Sequence, residues 1–253
     1  MNVLEAKAIS LSTPRQAICD EVSFTLHTGE IVGILGPNGC GKTTLLQVLA
    51  GLIMPSKGEV CLNQQPLKNI STKIIAQKLG FLFQHFQLPF SQSVEEYCLA
   101  SRFPHRSYFQ RNDTHDKNRV KQALQLMELT AYQNRLMATL SGGEKKRAAI
   151  AALLVQDPAI FLLDEPLNHL DVRHQVKVLK HFQLLAEAAS KTIVVTLHDM
   201  NIAQQFCQRI LLMYPNGEIL QGKTHDIITI KNLSRLYEHP ITRTWHFTPS
   251  YQR

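Results

Sequence analysis

The eight residues Gly36-Pro37-Asn38-Gly39-Cys40-Gly41-Lys42-Thr43 constrain this chain more than any other feature, because they fit the pattern G-x-x-x-x-G-K-[ST]. At average residue usage that pattern arises by chance in roughly one chain in a hundred of this length. Its setting narrows it further. The motif follows an apolar run, 31–35, that reads as a buried strand, and it opens a helical stretch carrying Leu45, Leu46, Val48 and Leu49. A strand, a glycine-rich turn and a helix start make an anion cradle: the glycines let successive backbone N–H groups curl inward, and the helix N-terminus adds its positive end. In such a loop Lys42 reaches the β/γ-phosphates of a nucleotide, and the Thr43 hydroxyl ligates Mg2+.

A second apolar run, 160–163, ends in the carboxylates Asp164 and Glu165. Alone, such an ending most often marks a strand entering solvent. Downstream of a phosphate loop it points to Asp164 in a Mg2+–water contact and to Glu165 orienting or deprotonating the attacking water. Further runs at 81–83, 193–197 and 210–213 are short, apolar and without strict alternation, as strands buried on both faces are. Between them Val120, Leu124 and Met127, and Ile202, Ala203 and Phe206, repeat at helical spacing. Strands alternating with helices predict an α/β fold with a mainly parallel sheet. Val22, Phe24 and Leu26 alternate instead as a half-exposed antiparallel strand does, and the stretch from Gln84 to Pro158 reads as a mostly helical insertion.

Composition excludes several classes. With 253 residues, 44% hydrophobic and 19% charged, the chain is globular rather than disordered. Its longest apolar run, 148–155, falls far short of the roughly 20 residues that span a bilayer. Glu5 and Lys7 interrupt any apolar leader, so a soluble, non-secreted protein is expected. The five cysteines (19, 40, 61, 98 and 207) form no C-x-x-C pair and no metal-like spacing, which fits a reducing compartment. The net charge of +7 is uneven: residues 101–122 hold Arg102, Arg106, Arg111, Lys117, Arg119 and Lys121 against Asp113 and Asp116. A solvated helical face and an anion-facing surface, nucleic acid or lipid, are both open readings of that stretch.

Leu140-Ser141-Gly142-Gly143-Glu144, ahead of Asp164, resembles the L-S-G-G-Q signature of ABC ATPases. Gln84 looks like that family's Q-loop glutamine, Leu170-Asp171 like its D-loop, and His198 like its switch histidine. The resemblance runs from about Ala6 to Tyr237. It implies a P-loop (RecA-like) core with an antiparallel β subdomain and a helical subdomain at about 85–158, all within one domain of residues 1–240, followed by a tail, 241–253. It also implies ATP and Mg2+ as ligands. Gly36 to Thr43 with Thr44 would hold phosphates; Thr43, Gln84 and Asp164 would serve the metal; Lys42, Glu165 and His198 would act in hydrolysis. Ser141, Gly142, Gly143, Glu144 and Asp171 would complete the nucleotide site of a second copy, so the family pattern is a homodimer.

Ser101-Arg102-Phe103-Pro104-His105-Arg106 and the end Leu233-Ser234-Arg235-Leu236-Tyr237 are similar to ATPase subunits of iron–siderophore, haem and cobalamin importers, with Ser101 in place of the usual glycine. That branch implies separate permease subunits, an extracytoplasmic binding protein, a peripheral place at the cytoplasmic face of the inner membrane, and no nucleic acid. The basic stretch would then meet protein or lipid head groups. Export, a ribosome- or DNA-directed ABC protein, and a dimerisation switch without transport are the alternatives.

Three departures from the family carry expectations. No aromatic residue occurs from Met1 to Glu21, and alignment puts Thr13 where one usually stacks on adenine. Arg15 could stack instead, and weak preference for ATP over GTP is expected. Glu144 replaces glutamine and adds a negative charge that Lys145, Lys146 and Arg147 are placed to offset. Cys40 has two readings: a partly accessible thiol with a pKa lowered by the helix N-terminus, open to alkylation unless ATP protects it, or a small buried filler.

Overall fold

The computed structural model describes residues 3–12, 17–84, 91–106 and 114–241. Among these residues ten strands run in order as β1 (Leu4–Ser12), β2 (Ala17–Leu26), β3 (Ile31–Leu35), β4 (Lys57–Leu62), β5 (Gln65–Pro66), β6 (Leu79–Leu82), β7 (Ile160–Leu163), β8 (Thr192–Thr196), β9 (Arg209–Met213) and β10 (Ile219–Lys223). The helices are α1 (Lys42–Leu49), α2 (Thr72–Lys78), α3 (Val94–Ala100), α4 (Thr114–Leu126), α5 (Gly142–Gln156), α6 (Val172–Ala189), α7 (Met200–Phe206), α8 (Thr224–Ile227) and α9 (Ile230–Leu236).

Two sheets form. One is antiparallel with order β2-β1-β4-β5; the other has order β10-β9-β3-β8-β7-β6, and its neighbours are parallel except for β10 against β9. The parallel strands are buried at nearly every position, and mostly apolar, because both faces are covered. Ile31, Leu35, Phe161, Leu163, Ile193, Val195, Ile210 and Leu212 join the core shared with α3 to α7. Val32, Ile34, Ile160, Leu162, Val194, Leu211 and Met213 join the core shared with α1 and the antiparallel sheet. Register carries this into function. Leu82 pairs with Leu163, and Leu163 with Val195, so β6, β7 and β8 end at one level and release Gln84, Asp164 and His198 along one rim. Ligands of open α/β sheets gather at that carboxyl rim.

Between β6 and β7 the described residues form α3, α4, α5 and short 3-10 turns, with a single isolated bridge between Ser93 and Leu136. The apolar run at 148–155 is the buried middle of α5, packed against β6, α3 and α4. No helix among the described residues is long and apolar enough to cross a membrane. Helix α5 starts at a capping box, in which the Ser141 hydroxyl accepts from the Glu144 N–H and the Glu144 carboxylate accepts from the Ser141 N–H. Such caps contribute about 1 kcal/mol. It ends at Asp157, whose φ of 55° turns the chain toward Pro158 and β7.

Part of the basic stretch is engaged within the fold. Arg102 and Arg106 both pair with the buried Asp116, at 2.9 and 3.4 Å, and Arg102 also donates to the Val155 and Gln156 carbonyls at the end of α5. Arg119 pairs with Asp157 at 3.1 Å. These three guanidiniums pin α4 and the 102–106 turn to α5. Lys117 and Lys121 remain exposed, and Arg111 lies outside the described residues.

Candidate functional site

The loop from Gly36 to Gly41 leaves the end of β3 and delivers Lys42 as the first residue of α1. Gly41 is its N-cap at φ 99°, and a β-carbon there would stand 2.3 Å from Ile18 Cγ2, so the turn demands glycine twice over. The Lys42 ammonium donates to the carbonyls of Gly36 (2.8 Å) and Pro37 (3.0 Å), which holds it across the loop. Beside it opens a cleft of about 310 Å³ lined by Ile18, Asn38, Gly39, Gly41, Lys42, Thr43, Thr44, Gln84 and Glu165.

Four strand ends meet at this cleft. Asp164 is 1% exposed and accepts from the Thr43 hydroxyl at 2.7 Å and the Thr196 hydroxyl at 2.8 Å. Thr196 also takes the Glu165 N–H at 2.8 Å. Glu165 sits at φ 47°, a left-handed conformation that costs a residue with a side chain about 1–3 kcal/mol and tends to persist where function needs it. Its Oε1 faces His198 Nε2 at 2.7 Å; its Oε2 accepts from Gln84 Nε2 at 2.8 Å and from the Asn168 amide. Thr43, Gln84, Asp164, Glu165 and His198, expected from the sequence, are therefore one hydrogen-bonded group, linked through Thr196, and Lys42 lines the same cleft. Ile18, Asn168 and Thr196 were not foreseen. For Thr196 the signal was a hydroxyl residue closing an otherwise apolar strand; for Ile18 and Asn168 only the folded chain supplies it.

The donor set suits Mg2+. Thr43 and Asp164 present oxygens to each other, and the Gln84 amide stands across the same cleft. Hard oxygens with one or two carboxylates, completed by waters and substrate phosphates, are what this ion takes. No cluster of three or more His, Cys, Asp or Glu side chains that could hold a metal occurs among the described residues.

The signature turn stands apart from this cleft. Ser141 and Gly142 are exposed, and Gly143 packs so tightly on the 164–171 loop that a β-carbon would lie 2.7 Å from the His169 carbonyl oxygen. Asp171 caps α6: it accepts from the His174 N–H (2.8 Å), which together with the His174 ring holds its carboxyl below the usual range. Ser141 to Glu144 and Asp171 thus add nothing to the cleft of their own chain.

Two local expectations are overturned. The Glu144 carboxylate is engaged as a helix cap, and hydrogen bonds from Ser141 hold its pKa down. Two of its three supposed counter-charges go elsewhere, Lys146 inward to the Phe83 and Gln84 carbonyls and Arg147 to the Met127 and Glu128 carbonyls. Cys40 is 7% exposed, and its sulfur lies 2.6 Å from where a β-carbon on Gly36 would be. Burial pushes its thiol pKa up, more than Lys42 and the backbone amides pull it down. The helix start lies beside it, at Gly41, but burial outweighs that pull, which favours the filler reading. Maleimide at neutral pH is expected to leave Cys40 unmodified in the folded protein and to label it after denaturation, read by mass spectrometry; rapid labelling of the native chain would contradict this. Thr13 and Arg15, on which the base-stacking expectation rests, lie outside the described residues.

Comparison with known proteins agrees with this geometry. The family model described as ABC transporter matches residues 19–168. The chain is 36% identical over 228 residues to the petrobactin import ATP-binding protein FpuD of Bacillus anthracis, covering 90% of this chain and 84% of that protein. It is 35% identical over 246 residues to the hemin import ATP-binding protein HmuV of Escherichia coli O157:H7, covering 95% and 94%. Among solved structures, the dimeric bacterial ABC transporter cassette MJ0796 superposes with a TM-score of 0.80 at 29% identity, covering 87% of this chain and 98% of that one.

Proposed function

Since this chain belongs to the ABC transporter family, we propose that it is the ATP-hydrolysing subunit of an importer that takes up a metal chelate, in the class of iron–siderophore, haem or cobalamin. It works as a homodimer beneath separately encoded permease subunits, peripheral at the cytoplasmic face of the membrane, with an extracytoplasmic binding protein delivering cargo. Residues 1–240 act as one cassette, with 85–158 as its helical subdomain and 241–253 as a tail. Nothing in its paired guanidiniums calls for nucleic acid. The observation that carries the reading is the meeting of Lys42, Thr43, Gln84 and Glu165 around one cleft, with Asp164 bonded to Thr43 and His198 to Glu165.

The roles follow from the contacts. Loop amides from Gly36 to Thr44 and the Lys42 ammonium bind the triphosphate and stabilise charge on the γ-phosphoryl group as it leaves. Thr43, Gln84 and Asp164 would hold Mg2+, which when bound neutralises β/γ oxygens. Glu165 accepts the proton of the attacking water; its Oε2 already takes two donors, so moving the Gln84 amide away frees a lone pair for that water. His198, on Oε1, keeps the carboxylate aimed, and in this reading it would also sense the γ-phosphate.

Ser141 and Gly142 are exposed at the N-terminus of a 15-residue helix, where amides and dipole favour an anion. The anion is the γ-phosphate bound to the other copy, which makes two copies facing head to tail the working unit. ATP then favours the closed pair, and hydrolysis releases it. Solubilising membranes in mild detergent and purifying through a tag on this chain is expected to bring down a polytopic permease and vesicle-dependent ATPase activity. Recovery with ribosomes or DNA and no permease would contradict the importer reading.

A further inference from the structure

Lys146 is 3% exposed, one turn into α5, and the roles above leave it without a task. Its place is unfavourable twice over. The positive end of the helix dipole, strongest in the first turn, lies just N-terminal to it, and a buried ammonium loses its hydration. Burial accordingly lowers its pKa, while the nearby Asp164 and Glu165 carboxylates act in the opposite direction. What the ammonium gains is a pair of acceptors, the carbonyls of Phe83 (3.3 Å) and Gln84 (3.4 Å).

Those two residues follow β6 directly. The strand itself is fixed to the site on its other side, where the Asp164 N–H donates to the Leu82 carbonyl at 2.9 Å. Beyond Leu82, the carbonyls of Phe83 and Gln84 are tied to α5 by Lys146, while the Gln84 side chain reaches Glu165. The helix that begins with the signature turn is in this way bonded to the main chain that places Gln84.

We propose that Lys146 is a positioning residue of the hydrolytic cycle: by donating to the Phe83 and Gln84 carbonyls it couples the start of α5 to Gln84, so that Gln84 engages or leaves Glu165 in step with the signature turn. This rests on the ATPase reading above and deepens it. Donation rather than charge is the operative property, so a neutral donor of similar length replaces lysine and an apolar side chain does not.

The test measures steady-state ATPase of the wild type, Lys146→Met, Lys146→Gln, Gln84→Ala and the Gln84→Ala/Lys146→Met double variant, with thermal melting as the folding control. Lys146→Met is expected to lower kcat about tenfold while KM for ATP stays within about twofold, the pattern of an interaction that matters after binding. Lys146→Gln is expected to recover kcat to within about threefold of wild type, and the double variant to turn over no more slowly than Gln84→Ala, since residues acting as a unit are not additive. Full turnover of Lys146→Met, failure of glutamine to rescue, or additive losses in the double variant would each overturn the proposal. Should Lys146→Met not fold, a folded Lys146→Gln variant that loses tenfold or more in kcat overturns it alone. A wild-type chain without ATPase activity would instead sink the reading beneath it, which keeps the two failures distinct.

Discussion

Glu165→Gln is expected to lower steady-state ATP hydrolysis by a factor on the order of 10²–10⁴, the usual contribution of a positioned general base, while nucleotide binding persists. The substitution keeps size and shape at a buried position. The new amide oxygen can accept from Gln84 and Asn168 as Oε2 does, and the new NH2 can donate to His198 Nε2 in the tautomer that leaves this nitrogen unprotonated. What disappears is the capacity to take a proton from water. Single-turnover hydrolysis with radiolabelled ATP, beside equilibrium binding of the same nucleotide, separates the two effects. Undiminished turnover would remove Glu165 from its role and leave the left-handed φ of 47° at that position without a functional reason.

Lys42→Ala is expected to fail earlier, at binding. Among the described residues the ammonium is the one cationic group lining the cleft, and its partners are two loop carbonyls that a phosphate can replace. Charge-assisted hydrogen bonds contribute about 1.5–3 kcal/mol, so affinity for ATP should fall roughly ten- to a hundredfold. The fold should tolerate the change, because the loop conformation is set by Gly41 and by the strand and helix on either side. Titration of a fluorescent ATP analogue into both variants gives the contrast: Glu165→Gln binds and does not turn over, whereas Lys42→Ala scarcely binds. Wild-type affinity in Lys42→Ala would place the phosphates elsewhere.

The ends of the parallel strands were legible because motif and periodicity coincide there. The runs at 31–35 and 160–163 match β3 and β7 residue for residue, and those at 81–83, 193–197 and 210–213 lie within two residues of β6, β8 and β9 at either end. The antiparallel parts were harder. β1 and β4 carry irregular alternation, and β1 is broken by register shifts in its pairing with both neighbours. β10 is reversed against β9 by a turn at Asn216 and Gly217, a dipeptide that marks hairpins and could have been read.

Side-chain direction was the main thing that spacing could not give. Cys40 lies in the phosphate loop, yet its sulfur turns to the core beside Met213 and Gly36. Arg102 and Arg106 look like surface charge until α4 folds back and Asp116 enters between them. Lys146 looks like one of three interchangeable cations until burial singles it out. Each of these depends on a partner from another element, which local pattern does not encode.

The central claim is that a triphosphate is bound between two chains, by Lys42 of one and by the Ser141 turn of the other. Sedimentation velocity of the Glu165→Gln variant, with and without Mg-ATP, tests it most directly. A nucleotide-dependent shift from one chain to two is predicted, abolished when Ser141→Arg is added to the same variant. A species that keeps the mass of one chain at saturating Mg-ATP, even with the permease present, would contradict it.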